Sequence, residues 1–288
     1  MISIILILLF VFSVLSVPVC HGVISGLYLY GMKIFPGLFI SFILTNILVR
    51  ILQQKNINNP WILVITGLMT GFPNGAYICS WYNKNNPENR LGDMLAGIIN
   101  IPSPAFLISY VYINILEKCI SLPMFLALTY TPVILCSYMA ILLFRDKDNK
   151  KDNAPHIKND KKLIFHFFEE AVDSSINTAL KLGAYVIIFS VIVIIMHFSQ
   201  GNTVGLLISY LFEISNGLAI IKNAGIPMNI TVLLTVLLDA FGGVCIIMQT
   251  KSICSSYISI KKYIYQKLVL CIVTLAMTYL LIYVLNIL

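Results

Sequence analysis

The chain has 288 residues, of which 59% are hydrophobic and 11% charged, with a formal net charge of +7 and a mean hydropathy of +0.90. A soluble domain carries about 25% charged residues, so this composition cannot clothe a water-facing globule. It excludes ordinary soluble enzymes and predicts an all-α polytopic membrane protein. The basic residues are not interleaved with aromatics on one face, which excludes a nucleic-acid partner and points to positively charged cytoplasmic loops.

Residues 1–19 are apolar, with no Lys or Arg ahead of the apolar core and no small-x-small cleavage site. They are expected to be a retained first helix, with residues 1–25 as an N-terminal membrane segment. Residues 26–49, 91–116, 121–144, 182–198, 232–248 and 268–288 are apolar runs near the roughly 20 residues that cross a bilayer. The seven cysteines are scattered, form no CxxC pair, and read as small apolar side chains.

Charge sets the expected topology. Residues 145–162, RDKDNKKDNAPHIKNDKK, form the only long polar segment and are assigned to the cytoplasm. Glu117-Lys118 then lies outside, while Arg50, Lys55, Lys84 and Arg90 lie inside. The stretch 61–81 must therefore begin and end inside, so it is predicted to be a re-entrant hairpin. It breaks at Thr70-Gly71-Phe72-Pro73-Asn74-Gly75, because Pro lacks a donor and Gly tolerates turns. Each half, about ten residues, is too short to cross alone. Lys251, Lys261, Lys262 and Lys267 read as another cytoplasmic basic stretch. Residues 205–221 must then begin and end outside, as a second hairpin broken at Glu213-Ile214-Ser215-Asn216-Gly217. Residues 163–178, LIFHFFEEAVDSSINT, read as an amphipathic helix lying on the cytoplasmic interface.

The two halves align. Phe72-Pro73-Asn74-Gly75-Ala76 faces Ile214-Ser215-Asn216-Gly217-Leu218, and Asn100-Ile101-Pro102-Ser103-Pro104 faces Asp239-Ala240-Phe241-Gly242-Gly243. Each half reads as helix, hairpin, interrupted helix, and the charges give the halves opposite orientations. Residues 26–116 form the first repeat and 179–262 the second. Residues 117–178 connect them, and 263–288 add a C-terminal helix. An inverted repeat with paired interrupted helices points to a transporter. Broken backbone survives in hydrocarbon only where it is buried in protein or lines a wet cavity.

The residues predicted to bind solute are Asn74, Gly75, Asn100, Ser103, Glu213, Ser215, Asn216, Asp239 and Gln249. Glu213 and Asp239 are acids inside apolar segments, where an unpaired charge is costly and functional sites are expected. The amides and hydroxyls offer neutral hydrogen bonds. Lys33 and Lys181 either attract an anion or snorkel to the interface. His197 lies near a helix end, and His156 and His166 in or near the polar loop. There is no HExxH, GxSxG, phosphate-binding loop or Cys/His metal spacing, so no enzymatic activity, cofactor or metal is expected.

Residues 67–76, GLMTGFPNGA, with 100–108, NIPSPAFLI, resemble the first module of the nucleoside-recognition (Gate) family, and nearest the YlbJ-like sporulation integral membrane proteins within it. Residues 212–217, FEISNG, and 241–249, FGGVCIIMQ, resemble the second module, so the likeness covers about 26–262. The resemblance implies a core in which two hairpin tips and two unwound helices hold a solute. For the YlbJ-like branch it implies dipicolinic acid crossing the outer forespore membrane during sporulation. Two alternatives stay open: a nucleoside or other small-solute carrier, and a non-transporting spore-envelope assembly protein. The expected partners are a small solute and the lipid bilayer of a bacterial inner or outer forespore membrane. A coupling proton or sodium ion and a homo-oligomer stay open.

Overall fold

The computed structural model describes residues 3, 6, 10, 13–55, 59–88, 90–145, 161–200, 210–254 and 257–284. Among these, every regular element is helical. Five helices are long and apolar enough to cross a membrane: Leu91–Ile115, Leu122–Phe144, Phe168–Ile195, Met228–Cys254 and Ile260–Ile282. This is the make-up of a multi-pass membrane protein.

Helix α1 (Ser16–Tyr28) passes through a wide π-helical stretch, Leu29–Ile34, into α2 (Phe35–Lys55). The chain bends by 61° between Ser16–Ile34 and Leu38–Leu48. No loop interrupts the helix at residues 25–26. Most of residues 1–12 lie outside the described residues.

Two half-length helices follow. In α3 (Pro60–Thr70), Asn59 caps the start by accepting from the Trp61 amide at 3.0 Å, and Pro60 takes a first-turn position where its missing N–H costs nothing. Gly71, at φ +72°, stops the helix. Helix α4 (Asn74–Asn85) starts three residues later. Both are too short to cross a bilayer alone.

The next span is interrupted. Helix α5 (Leu91–Ile99) ends at Asn100, and α6 restarts at Pro104–Phe106 and continues as the π-helical Leu107–Ile115. Ser103 caps the restart, its hydroxyl accepting from the Phe106 amide at 3.4 Å. Pro104 explains the break. It stands four residues after Asn100 and has no N–H for the Asn100 carbonyl.

Helix α7 (Leu122–Arg145) is an unbroken span. Helix α8 (Lys161–Gln200) runs for 40 residues, about 60 Å. The predicted interfacial segment 163–178 is therefore the first part of α8, and the helix does not divide at 178. Ala171 and Ser175 are fully buried, and the Asn46 amide of α2 donates to the Ser175 hydroxyl at 3.0 Å. Ser174 also donates to the Asn46 side-chain oxygen at 3.4 Å, while Glu169 and Asp173 of the same segment are exposed. The basic loop lies largely outside the described residues, as do 205–209 of the second predicted hairpin.

Helices α9 (Ile214–Asn223), α10 (Met228–Phe241), α11 (Gly243–Cys254) and α12 (Ile260–Tyr279) complete the chain, with α12 continuing as a π-helical turn, Leu280–Val284. Gly242, at φ +81°, ends α10, and Gly243, at φ +85°, opens α11. Helix α1 packs closely on α8. A Cβ at Gly22 would lie 2.6 Å from the Val191 Cα, and one at Gly26 would lie 2.8 Å from the Ile187 Cα. This is the small-residue seam by which membrane helices approach.

Polar clusters fix the two ends of the Leu91–Ile115 span. At its start the buried Asp93 accepts from the Ser259 amide and the Asn83 amide group, and pairs with Arg90 at 3.3 Å and Lys262 at 3.4 Å. Beyond its far end Glu117 pairs with Lys222 at 2.7 Å.

Candidate functional site

The two helix breaks and the starts of the two half-helices α4 and α9 are packed on one another. The Phe72 amide donates to the Ile101 carbonyl at 2.9 Å, joining the α3–α4 turn to the first break. A Cβ at Gly71 would lie 2.4 Å from the Ser103 nitrogen, and one at Gly75 would lie 2.8 Å from the Ile99 carbonyl oxygen. The second half shows a related contact. A Cβ at Gly243 would meet the Phe212 carbonyl oxygen at 3.1 Å, and one at Gly217 would meet Leu238 at 2.7 Å. Each start thus seats on the break of its own half through glycines that leave no room for a side chain.

Between these seats is a cavity of about 20 Å³, room for roughly one water molecule. Its polar lining is Ser103, Glu213, Ser215 and Gln249, and its apolar wall includes Phe72, Phe106 and Ile246. Four of the predicted site residues therefore meet in one place, drawn from both halves of the sequence. Glu213 is buried and caps α9, its carboxylate accepting from the Asn216 amide at 2.8 Å. Gln249 donates to the Cys245 sulfur at 3.1 Å, and its side-chain oxygen Oε1 has no protein partner among the described residues. The Ser215 carbonyl accepts from Tyr110 Oη at 3.1 Å.

The other five predicted residues sit outside this lining. The Asn74 amide group faces α2, 3.4 Å from Thr45 Oγ1. Asn216 donates to Ser190 of α8 at 3.2 Å. Gly75 packs on the first break. Asp239 is fully buried, and neither carboxyl oxygen has a hydrogen-bond partner among the described residues. Asn100 is the centre of a second polar cluster. Its side chain accepts from the Ala76 amide at 3.2 Å and donates to Thr250 Oγ1 at 3.2 Å and Tyr263 Oη at 2.8 Å.

No family model, curated protein or solved structure matches this chain. The cavity is therefore interpreted from its own chemistry.

One residue corrects the charge-based topology. Lys267 does not belong to a cytoplasmic basic stretch. It is fully buried in α12, and its ammonium donates to the carbonyls of Asn100 and Ala240 at 2.5 and 2.9 Å. Those carbonyls belong to the two breaks. Asn100 O lacks a helical donor because Pro104 has none to give. Ala240 O is among the last carbonyls of α10, where the left-handed Gly242 ends the helix. A donor-less carbonyl four residues before a proline, inside an apolar run, was the available sequence signal for such a partner.

Proposed function

We propose that this chain is a membrane carrier for a small polar solute, built as two inverted repeats with a re-entrant helical hairpin and an interrupted helix in each. The observation that carries this reading is the shared cavity. Ser103 follows the first break, Glu213 and Ser215 start α9, and Gln249 follows the second break, yet all four line one space. Irregular backbone at membrane depth is tolerated where it surrounds such a site. At about 20 Å³ the cavity admits no organic solute, so binding requires the two seats to part. The resemblance makes dipicolinate the first solute to test, with the outer forespore membrane as the location.

A second reading follows from charge. Among the described residues lining the cavity there is one acid, Glu213, and no base. A dicarboxylate meets no side-chain cation there, whereas an uncharged nucleoside needs none. The test is a thermal-shift titration of purified protein with dipicolinate and with nucleosides, joined to uptake by proteoliposomes. A true solute raises the melting temperature and is taken up. Glu213→Gln keeps a capping oxygen but removes the charge, and abolishes uptake with little change in stability. Undiminished uptake by both Glu213→Gln and Gln249→Ala would remove the cavity from the pathway. Normal accumulation of every solute in a deletion strain that has a spore-envelope defect would favour an assembly protein.

A further inference from the structure

Lys267 is the largest charged side chain that the core fully encloses, and among the described residues no carboxylate pairs with it. An isolated buried ammonium is costly. Here the compensation is backbone: one carbonyl from the end of α5 and one from the end of α10, with the Tyr263 ring 5.9 Å from Nζ. Each helix C-terminus carries about half a negative charge. Two of them converging on one point amount to about one negative charge, which one ammonium neutralises. Paired carbonyls at interrupted helix ends are also the ligands with which membrane proteins hold alkali cations.

We propose that Lys267 is a tethered cation: its ammonium fills a monovalent-cation site formed by the Asn100 and Ala240 carbonyls, and removing the side chain opens that site to a free alkali ion. The chain therefore needs no sodium at this position, because the cation is covalently part of α12. The assignment goes beyond the transport reading and is independent of the solute carried. Its test reads stability rather than uptake, so the two can fail separately.

The experiment compares wild type, Lys267→Ala and Lys267→Met in detergent, in sodium, potassium and choline chloride at equal ionic strength. Wild type is expected to melt at one temperature in all three salts. Lys267→Ala is expected to be destabilised in choline and to recover, saturably, on the order of 5 °C in sodium or potassium at ~100 times the dissociation constant. Lys267→Met fills the space without ligand or charge, and is expected to be destabilised in every salt. A folded Lys267→Ala with the same melting temperature in all three salts overturns the proposal. So does an alkali-specific shift of equal size in wild type, which places the ion elsewhere. Lys267→Ser, which adds a hydroxyl ligand, is the second variant. Failure of both small variants to fold even in sodium- and potassium-rich buffer also overturns it, because no ion then replaces the ammonium.

Discussion

The backbone amide of Phe72 and the carbonyl of Ile101, 2.9 Å apart, are hydrogen-bonded across the first turn and the first break. The seat depends on two glycines. Gly71→Ala would place a Cβ 2.4 Å from the Ser103 nitrogen at a φ of +72°, so it is expected to cost on the order of 2–3 kcal/mol. Gly31→Ala is the control. A Cβ there meets nothing within 4 Å, and the change is expected to be neutral or stabilising by up to about 1 kcal/mol. Melting in detergent compares the two. Equal effects would mean that the seat is not close-packed.

Asn100→Ala removes three side-chain hydrogen bonds at once, to Ala76, Thr250 and Tyr263. A loss of about 2–4 kcal/mol is expected, since the partners stay buried. Tyr263→Phe removes only one and should cost about 1 kcal/mol. A double-mutant cycle between the two positions should show coupling, and strict additivity would break the network assignment.

Asp239→Leu is expected to raise the melting temperature and to lower uptake. Its buried carboxyl has no hydrogen-bond partner among the described residues, so removing the ionisable group relieves desolvation. Residues kept at a cost to stability are retained for function. A variant that is both stabilised and fully active would make Asp239 dispensable.

Glu117 and Lys222 give a pH test at the other end of the span. The Lys222 ammonium, by hydrogen bond and by charge, holds the exposed Glu117 carboxyl below its usual range. A lowered folded-state value means the pair contributes fully above the ordinary carboxylate range. The contribution is lost as pH falls through the folded value. Glu117→Gln should flatten the acid limb of the melting-temperature profile slightly, and less at high salt, because the pair is exposed.

The four interruptions were legible because Gly, Pro and Asn clusters cut runs that are otherwise apolar. Ser103, Glu213, Ser215 and Gln249 followed from that pattern. Lys267 was not legible from charge alone. In KKYIYQK it sits beside exposed lysines, and only the proline at 104 marks a carbonyl in need of a donor. The unity of α8 was hidden by EEAVDSSINT, in which Glu169, Asp173 and Asn177 are exposed while Ser174 and Ser175 turn toward Asn46 of α2. Helix periodicity reports which residues share a face; it does not report whether that face meets solvent or another polar side chain.

The seam between α1 and α8 also bears on the order in which the protein is made. Gly26 and Ile187 touch, yet 161 residues separate them in the chain (187 − 26). Synthesis runs from the N-terminus, so α1 enters the bilayer long before its partner exists. Until then the close-packing surface at Gly22 and Gly26 lacks the partner that α8 supplies. Closing the bundle is therefore a late event in biogenesis. A bulky residue at Gly22 would leave insertion of each span intact and stall the protein as an open, protease-sensitive assembly.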